Sequence, residues 1–132
     1  MKTILVVEDV VYARHFICNT LQSHGYNTMT ASSAQEAYDV LSDDSATINL
    51  VLSDFNIPDS TGFDLLRTIK NNPTLEDMPV VFLTNDYHSD KIQFARKTGM
   101  ASFIQKPLRE DNLFAEIDRA IDTKGSIINL SI

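Results

Sequence analysis

The sequence predicts an α/β fold: an open, doubly wound, five-stranded parallel sheet made of five strand–helix units. Three observations predict it. Five short apolar runs recur along the chain, segments with apolar residues at helical spacing lie between them, and three of the runs are nearly continuous in hydrophobicity. Alternating strands and helices indicate a parallel α/β sheet. Continuous apolar strands suit a sheet covered on both faces. Five units are too few for an eight-fold barrel, and right-handed crossovers place helices on both faces of an open sheet.

The elements follow in order. The first run, Ile4 to Val7, leads to Ala13, Phe16, Ile17 and Leu21 at three-and-four spacing. The second, Asn27 to Ala31, precedes Ser33 and Glu36, which read as a capping box for a helix through Ala34, Ala37, Tyr38 and Leu41. The third, Ile48 to Ser53, is followed by Gly62, Leu65, Leu66 and Ile69, a pattern that Asn71-Asn72-Pro73 stops. The fourth, Pro79 to Thr84, precedes a weaker stripe of Ile92 and Ala95 that ends near Gly99. The fifth, Ala101 to Gln105, precedes Leu113, Phe114, Ile117 and Ile121, ending near Gly125. One domain is therefore expected over residues 1–125. An apolar tail, 126–132 (SIINLSI), is expected to pack against it or to fray, with a partner contact or the start of a linker as the sharper alternative.

The 132 residues fit one domain with a substantial core. Eighteen acidic against eleven basic residues give a net charge of −7, which repels a phosphate backbone and argues against direct nucleic-acid binding. The lone Cys18 has no internal disulfide partner and reads as a small packed residue. His15, His24 and His88 have no metal-ligand spacing and read as surface groups. The apolar run near the N-terminus is too short for a signal-peptide core or a membrane span. The cytoplasm is the expected location.

In open α/β sheets, ligands bind outside the C-terminal ends of the strands. Five reactive side chains are expected there: Glu8 and Asp9 after the first strand, Asp54 after the third, Thr84 at the end of the fourth and Lys106 after the fifth. Three carboxylates about 5 Å apart repel by roughly 3 kcal/mol per pair at an effective dielectric near 20. A divalent cation relieves that repulsion, and an oxygen-only site favours Mg2+, with Mn2+ the alternative. One carboxylate can then attack phosphorus, with an ammonium and a hydroxyl to neutralise the phosphoryl oxygens.

The acidic pair in VVED, the Asp in VLSDFNIP, the Thr in VVFLT and the Lys-Pro in FIQKP lie 45, 30 and 22 residues apart, counted from Asp9 to Asp54, Thr84 and Lys106. With these motifs the sequence resembles the receiver domain of two-component response regulators across nearly all of residues 1–125. The resemblance implies a flavodoxin-like fold with strand order 2-1-3-4-5, an order for which this family is itself a standard instance. It implies that Asp54 is the phosphorylated residue, that Asp9 binds the metal directly and Glu8 through water, and that Asn56 offers its backbone carbonyl. Lys106 is expected to pair with Asp54 and then with the phosphoryl group, and Thr84 to swing toward it. Phe103 holds the aromatic switch position. The family also suggests a cis Lys106-Pro107 bond.

The implied function is a phosphorylation-dependent switch. A histidine kinase or histidine phosphotransfer protein would donate to Asp54, docking on the first helix and the loop after the fifth strand. An output protein would bind the face formed by the fourth helix, fifth strand and fifth helix. The chain is expected to assist its own phosphotransfer and dephosphorylation without being an enzyme in the ordinary sense, as a monomer or weak dimer. It could equally be the receiver segment of a larger regulator, or a module that binds partners unphosphorylated. A haloacid-dehalogenase-type phosphatase is disfavoured because Asn56 stands where that class needs a second Asp. A flavodoxin-like cofactor binder is disfavoured because no phosphate loop follows the first strand. Departures from the family pattern are Glu8 in place of the commoner Asp and Asn85 in place of a small residue. Asp86 is expected to orient a hydrolytic water.

Overall fold

The computed structural model describes the backbone of residues 1–43, 45–85 and 90–130, with side chains described through residue 122. Five parallel strands form one sheet: β1 (Thr3–Val7), β2 (Asn27–Ala31), β3 (Leu50–Asp54), β4 (Val80–Thr84) and β5 (Ser102–Gln105), in the order β2-β1-β3-β4-β5. Helices α1 (Val11–Ser23), α2 (Ala34–Leu41), α3 (Gly62–Lys70), α4 (Asp90–Thr98) and α5 (Glu110–Leu130) follow the strands in turn. The expected fold class and strand order are both observed.

The period-two geometry of a strand explains how one sheet serves two cores. Leu5, Val7, Val51, Val80 and Phe82 point to one face, where they meet Ala37 and Leu41 of α2, Leu65, Leu66 and Ile69 of α3, and Ile92 and Ala95 of α4. Ile4, Val6, Leu50, Leu52, Val81, Leu83 and Ile104 point to the other, against Ile17, Cys18 and Leu21 of α1 and Leu113, Ile117 and Ala120 of α5. Residues in β1, β3 and β4 are therefore apolar on both sides, which is why those runs read as continuous. By contrast, β2 is an edge strand, and Ala31 is its one buried residue.

Local details depart from the sequence pattern for identifiable reasons. Ile48 is buried but precedes β3, because Asn49 joins β1 instead. Its N–H donates to the Thr3 carbonyl and its side-chain oxygen accepts the Thr3 N–H at 2.8 Å. Half of the expected capping box forms: Ser33 accepts the Glu36 N–H at 3.1 Å, but the Glu36 carboxylate accepts from Ser32, both N–H and hydroxyl. Phe16, placed on the apolar stripe of α1, is 46% exposed, and Thr20 takes the buried position, its hydroxyl donating to the Phe16 carbonyl. The last helix runs through Gly125 to Leu130, so the expected boundary at 125/126 falls inside α5. The side chains of that segment and residues 131–132 lie outside the described residues. Two-residue strands Asn56–Ile57 and Ser60–Thr61 pair as an antiparallel hairpin that the strand patterning did not reveal.

Candidate phosphoacceptor site

The sheet order reverses between β1 and β3, and the carboxyl ends of those two strands carry the acids. Oxygens of Glu8, Asp9 and Asp54 all lie within 4.8 Å of one another. Glu8 is buried, Asp54 is largely covered and Asp9 is exposed. Burial pushes the Glu8 carboxyl above its ordinary value, and the charge of Asp54 adds to that shift; a hydrogen bond from the Val10 N–H opposes it.

Asp54 ends β3 rather than following it, paired in register with Leu83. Its Oδ2 faces the Lys106 ammonium at 3.2 Å, and its Oδ1 accepts the Asn56 N–H at 3.3 Å. Lys106 reaches this position because its own N–H donates to the Thr84 carbonyl at 2.9 Å, extending the β4–β5 ladder past Gln105. The Lys106-Pro107 peptide is cis. Thr84 is 4% exposed at the end of β4. Phe103 lies beside Phe82 in the strand register, half-buried against the α2–α4 core, with the Arg96 guanidinium 5.1 Å from its ring centroid. Asn85 is exposed next to Thr84. Asp86 and His88 lie outside the described residues.

Two turns carry the acids' neighbours. After β1, Glu8 is tied by its N–H to the Ala31 carbonyl at 3.0 Å, by its carboxylate to the Val10 N–H at 3.1 Å and by its carbonyl to the Arg14 guanidinium at 2.9 Å. After β3, the hairpin returns the chain to α3. Gly62 N–H donates to the Phe55 carbonyl at 2.7 Å, and a Cβ on Gly62 would sit 2.7 Å from Phe82 Cε1 and 3.0 Å from Phe55 Cα. Only glycine fits that approach. Thr61 caps α3 by accepting the Asp64 N–H at 3.1 Å, and Asp59 at the hairpin tip accepts the Ala34 and Gln35 N–H groups at the start of α2. These hydrogen bonds hold the Asp59 carboxyl below its ordinary value.

The donor set suits a hard divalent cation: it is all oxygen, with three carboxylates whose mutual repulsion a cation relieves. Glu8, Asp9 and Asp54 lie together at the carboxyl ends of the strands, with Lys106 beside Asp54 and bonded through its N–H to Thr84, and Phe103 sits on β5 opposite Phe82. Sequence reasoning missed the Arg14, Asp59 and Gly62 contacts. For Gly62 the signal was present, a Thr-Gly pair opening an amphipathic helix. His24 is a surface group, as read from the sequence, and there its ring stacks on Phe114 with centroids 3.8 Å apart and its Nε2 lies 3.3 Å from Asp118 Oδ2. Tyr26 also donates to Asp118, and burial first, then this contact, raises its phenol.

Residues 4–118 match the family described as the response regulator receiver domain. Two-component response regulator ORR3 of rice, Oryza sativa subsp. indica, is 30% identical over 118 residues, covering 89% of each chain. Chemotaxis protein CheY1 of Helicobacter pylori is 27% identical over 91% of this chain and 97% of its own. A crystallised response regulator receiver domain protein from Clostridium thermocellum superposes with a TM-score of 0.88 at 29% identity, covering 96% of this chain and 99% of the other. Fold, motif order and these likenesses agree: the chain belongs to the response regulator receiver domain family, the signalling modules of two-component systems.

Proposed function

We propose that Asp54 accepts a phosphoryl group from a histidine kinase or histidine phosphotransfer protein, with Mg2+ held by Glu8, Asp9, Asp54 and the backbone carbonyl of Asn56. The observation that carries this reading is the three-carboxylate cluster within 4.8 Å with the Lys106 ammonium 3.2 Å from Asp54. When bound, Mg2+ supplies positive charge to the acceptor and the transferring phosphoryl oxygens. An Asp54 oxygen forms the new bond to phosphorus while the phosphorus–nitrogen bond of the donor phosphohistidine breaks, and the freed imidazole nitrogen keeps the electron pair. Lys106 exchanges its carboxylate partner for a phosphoryl oxygen, and the Thr84 hydroxyl donates to another. Movement of Thr84 opens the space into which Phe103 turns, which changes the α4–β5–α5 face presented to the output protein.

The donor face is supported by what α1 leaves in solvent. Val10, Val11, Tyr12 and Phe16 are all exposed apolar groups. Beside them lies a groove of about 250 Å3 lined by Tyr12, Phe16, Lys106, Pro107 and Leu108, open to a docking helix next to Asp54. Among the described residues no helix is long and apolar enough to cross a membrane.

The test is direct. Incubation with a small phosphodonor and Mg2+ should add one phosphoryl group, read by intact-protein mass spectrometry, and Asp54→Asn should abolish the addition. Equal modification of the variant would remove Asp54 from its assigned role.

A further inference from the structure

We propose that Arg14 is a positioning residue for the acidic turn, setting its affinity for Mg2+; this rests on the reading that Glu8, Asp9 and Asp54 hold that ion. Helix α1 starts without a side-chain cap at Val10 and without an acidic residue in its first turn. The N-terminal donor that reaches the turn is the Val10 N–H, which donates to the Glu8 carboxylate at 3.1 Å. Two of the three ties on Glu8 are local or belong to the sheet: its carboxylate to Val10 two residues on, and its N–H to Ala31 of β2. The tie to the body of α1 is the Arg14 guanidinium, 2.9 Å from the Glu8 carbonyl.

The accepting oxygen belongs to the peptide that joins the two acids. A charge-assisted hydrogen bond to it fixes the plane of that peptide and with it the relative placement of the Glu8 and Asp9 side chains. Arg14 is itself half-buried, and its N–H makes a helical bond to the Val10 carbonyl at 2.9 Å. The guanidinium therefore works from a rigid base. Groups that orient ligating carboxylates in this manner typically alter metal affinity by about 10–100-fold when removed.

The experiment measures Mg2+ binding to the unphosphorylated full chain by calorimetry, for wild type, Arg14→Gln, Arg14→Lys and Asp9→Asn. Arg14→Gln should raise the Mg2+ Kd about tenfold. Arg14→Lys should raise it by less, since lysine keeps the charge but loses the fork. In phosphorylation by a small phosphodonor, half-saturating Mg2+ should rise by the same factor while the rate at saturating Mg2+ stays near that of wild type. A merely structural role would lower thermal stability and leave half-saturation where it was. Wild-type Kd in both variants overturns the role of Arg14; if Arg14→Gln does not fold, the Kd of Arg14→Lys decides alone. The two failures are distinguishable: if wild type binds Mg2+ no better than Asp9→Asn, the reading of the metal site fails, whereas binding by wild type with no difference in the Arg14 variants removes Arg14 alone.

Discussion

The turn after β1 and the hairpin after β3 both bring proposed metal ligands beside Asp54, but different forces hold them. The Glu8–Asp9 turn is held by three hydrogen bonds to Glu8, from Val10 and Arg14 and to Ala31, and it carries a buried carboxyl displaced from its ordinary pKa. The Asn56–Thr61 hairpin has polar ties of its own, from the Gly62 N–H to the Phe55 carbonyl and from the start of α2 to Asp59, and adds close packing to them. Phe55 packs edge-on to Phe82 with centroids 5.0 Å apart, and Gly62 lets the two rings close over the start of α3. Polar ties tune charge and metal affinity at modest net stability. Packed aromatic rings contribute stability directly, with little dependence on pH. The β1 corner thus carries a raised carboxyl at Glu8, and the hairpin corner a lowered one at Asp59 together with close aromatic packing.

The largest break in this contrast is Phe82→Ala. Phe82, on β4, is fully buried against Phe55 and Gly62, and its removal should cost about 3–5 kcal/mol, measured by urea unfolding. A loss below 1 kcal/mol would mean that packing is not what holds the hairpin side. Next comes Gly62→Ala. The added methyl would sit 2.7 Å from Phe82 Cε1, and a cost of about 1–3 kcal/mol is expected, with perturbed amide signals from Phe55 to Thr61 in NMR spectra. Unshifted signals there would contradict the close approach. Thr61→Ala removes the cap of α3 and should cost about 1 kcal/mol. Because the cap is on the packed side, Mg2+ affinity should stay at the wild-type level; a weaker affinity would show that the two corners are coupled.

Glu8→Gln has the smallest expected effect on stability at acidic pH, below the unfolded-state pKa, and differs from the others in kind. Burial raises the Glu8 carboxyl above its ordinary value of 4.5, so the folded chain binds that proton more tightly than the unfolded chain. The stabilising contribution is full below the unfolded-state pKa and is lost as pH rises through the raised folded-state value. In chelator-containing buffer, the stability difference between wild type and Glu8→Gln should therefore change with pH only across that window. A difference constant from pH 4 to 8 would remove Glu8 as the charge-bearing member of the polar corner.

Much of this was legible because it depends on chain order and side-chain type. Strands and helices announced themselves through period, and the strand-end rule brought residues as far apart as Asp9 and Lys106 to one edge. Arg14 was illegible: a lysine-or-arginine on a helix usually faces solvent, and only the fold reveals a carbonyl 2.9 Å away. The Asp59 cap on α2 was hidden for a related reason, since the capping group comes from a different segment, 25 residues along the chain from Ala34. Phe16 left its expected buried role because amphipathic period gives a face, and not what lies opposite it: it is exposed and lines the groove beside Lys106.

By itself the sequence determined the alternation of elements, the two-sided burial of the central strands and the identity of the acids, hydroxyl and ammonium at the strand ends. Those follow from local hydrophobic period and from residue chemistry, which each short segment carries alone. Tertiary structure decided how the acids are held: the Arg14 tie to the Glu8 carbonyl, the aromatic closure over Gly62 and the 3.2 Å approach of Lys106 to Asp54. Each of these is a distance between groups from different elements, and such distances exist only once the sheet twists and its helices have packed.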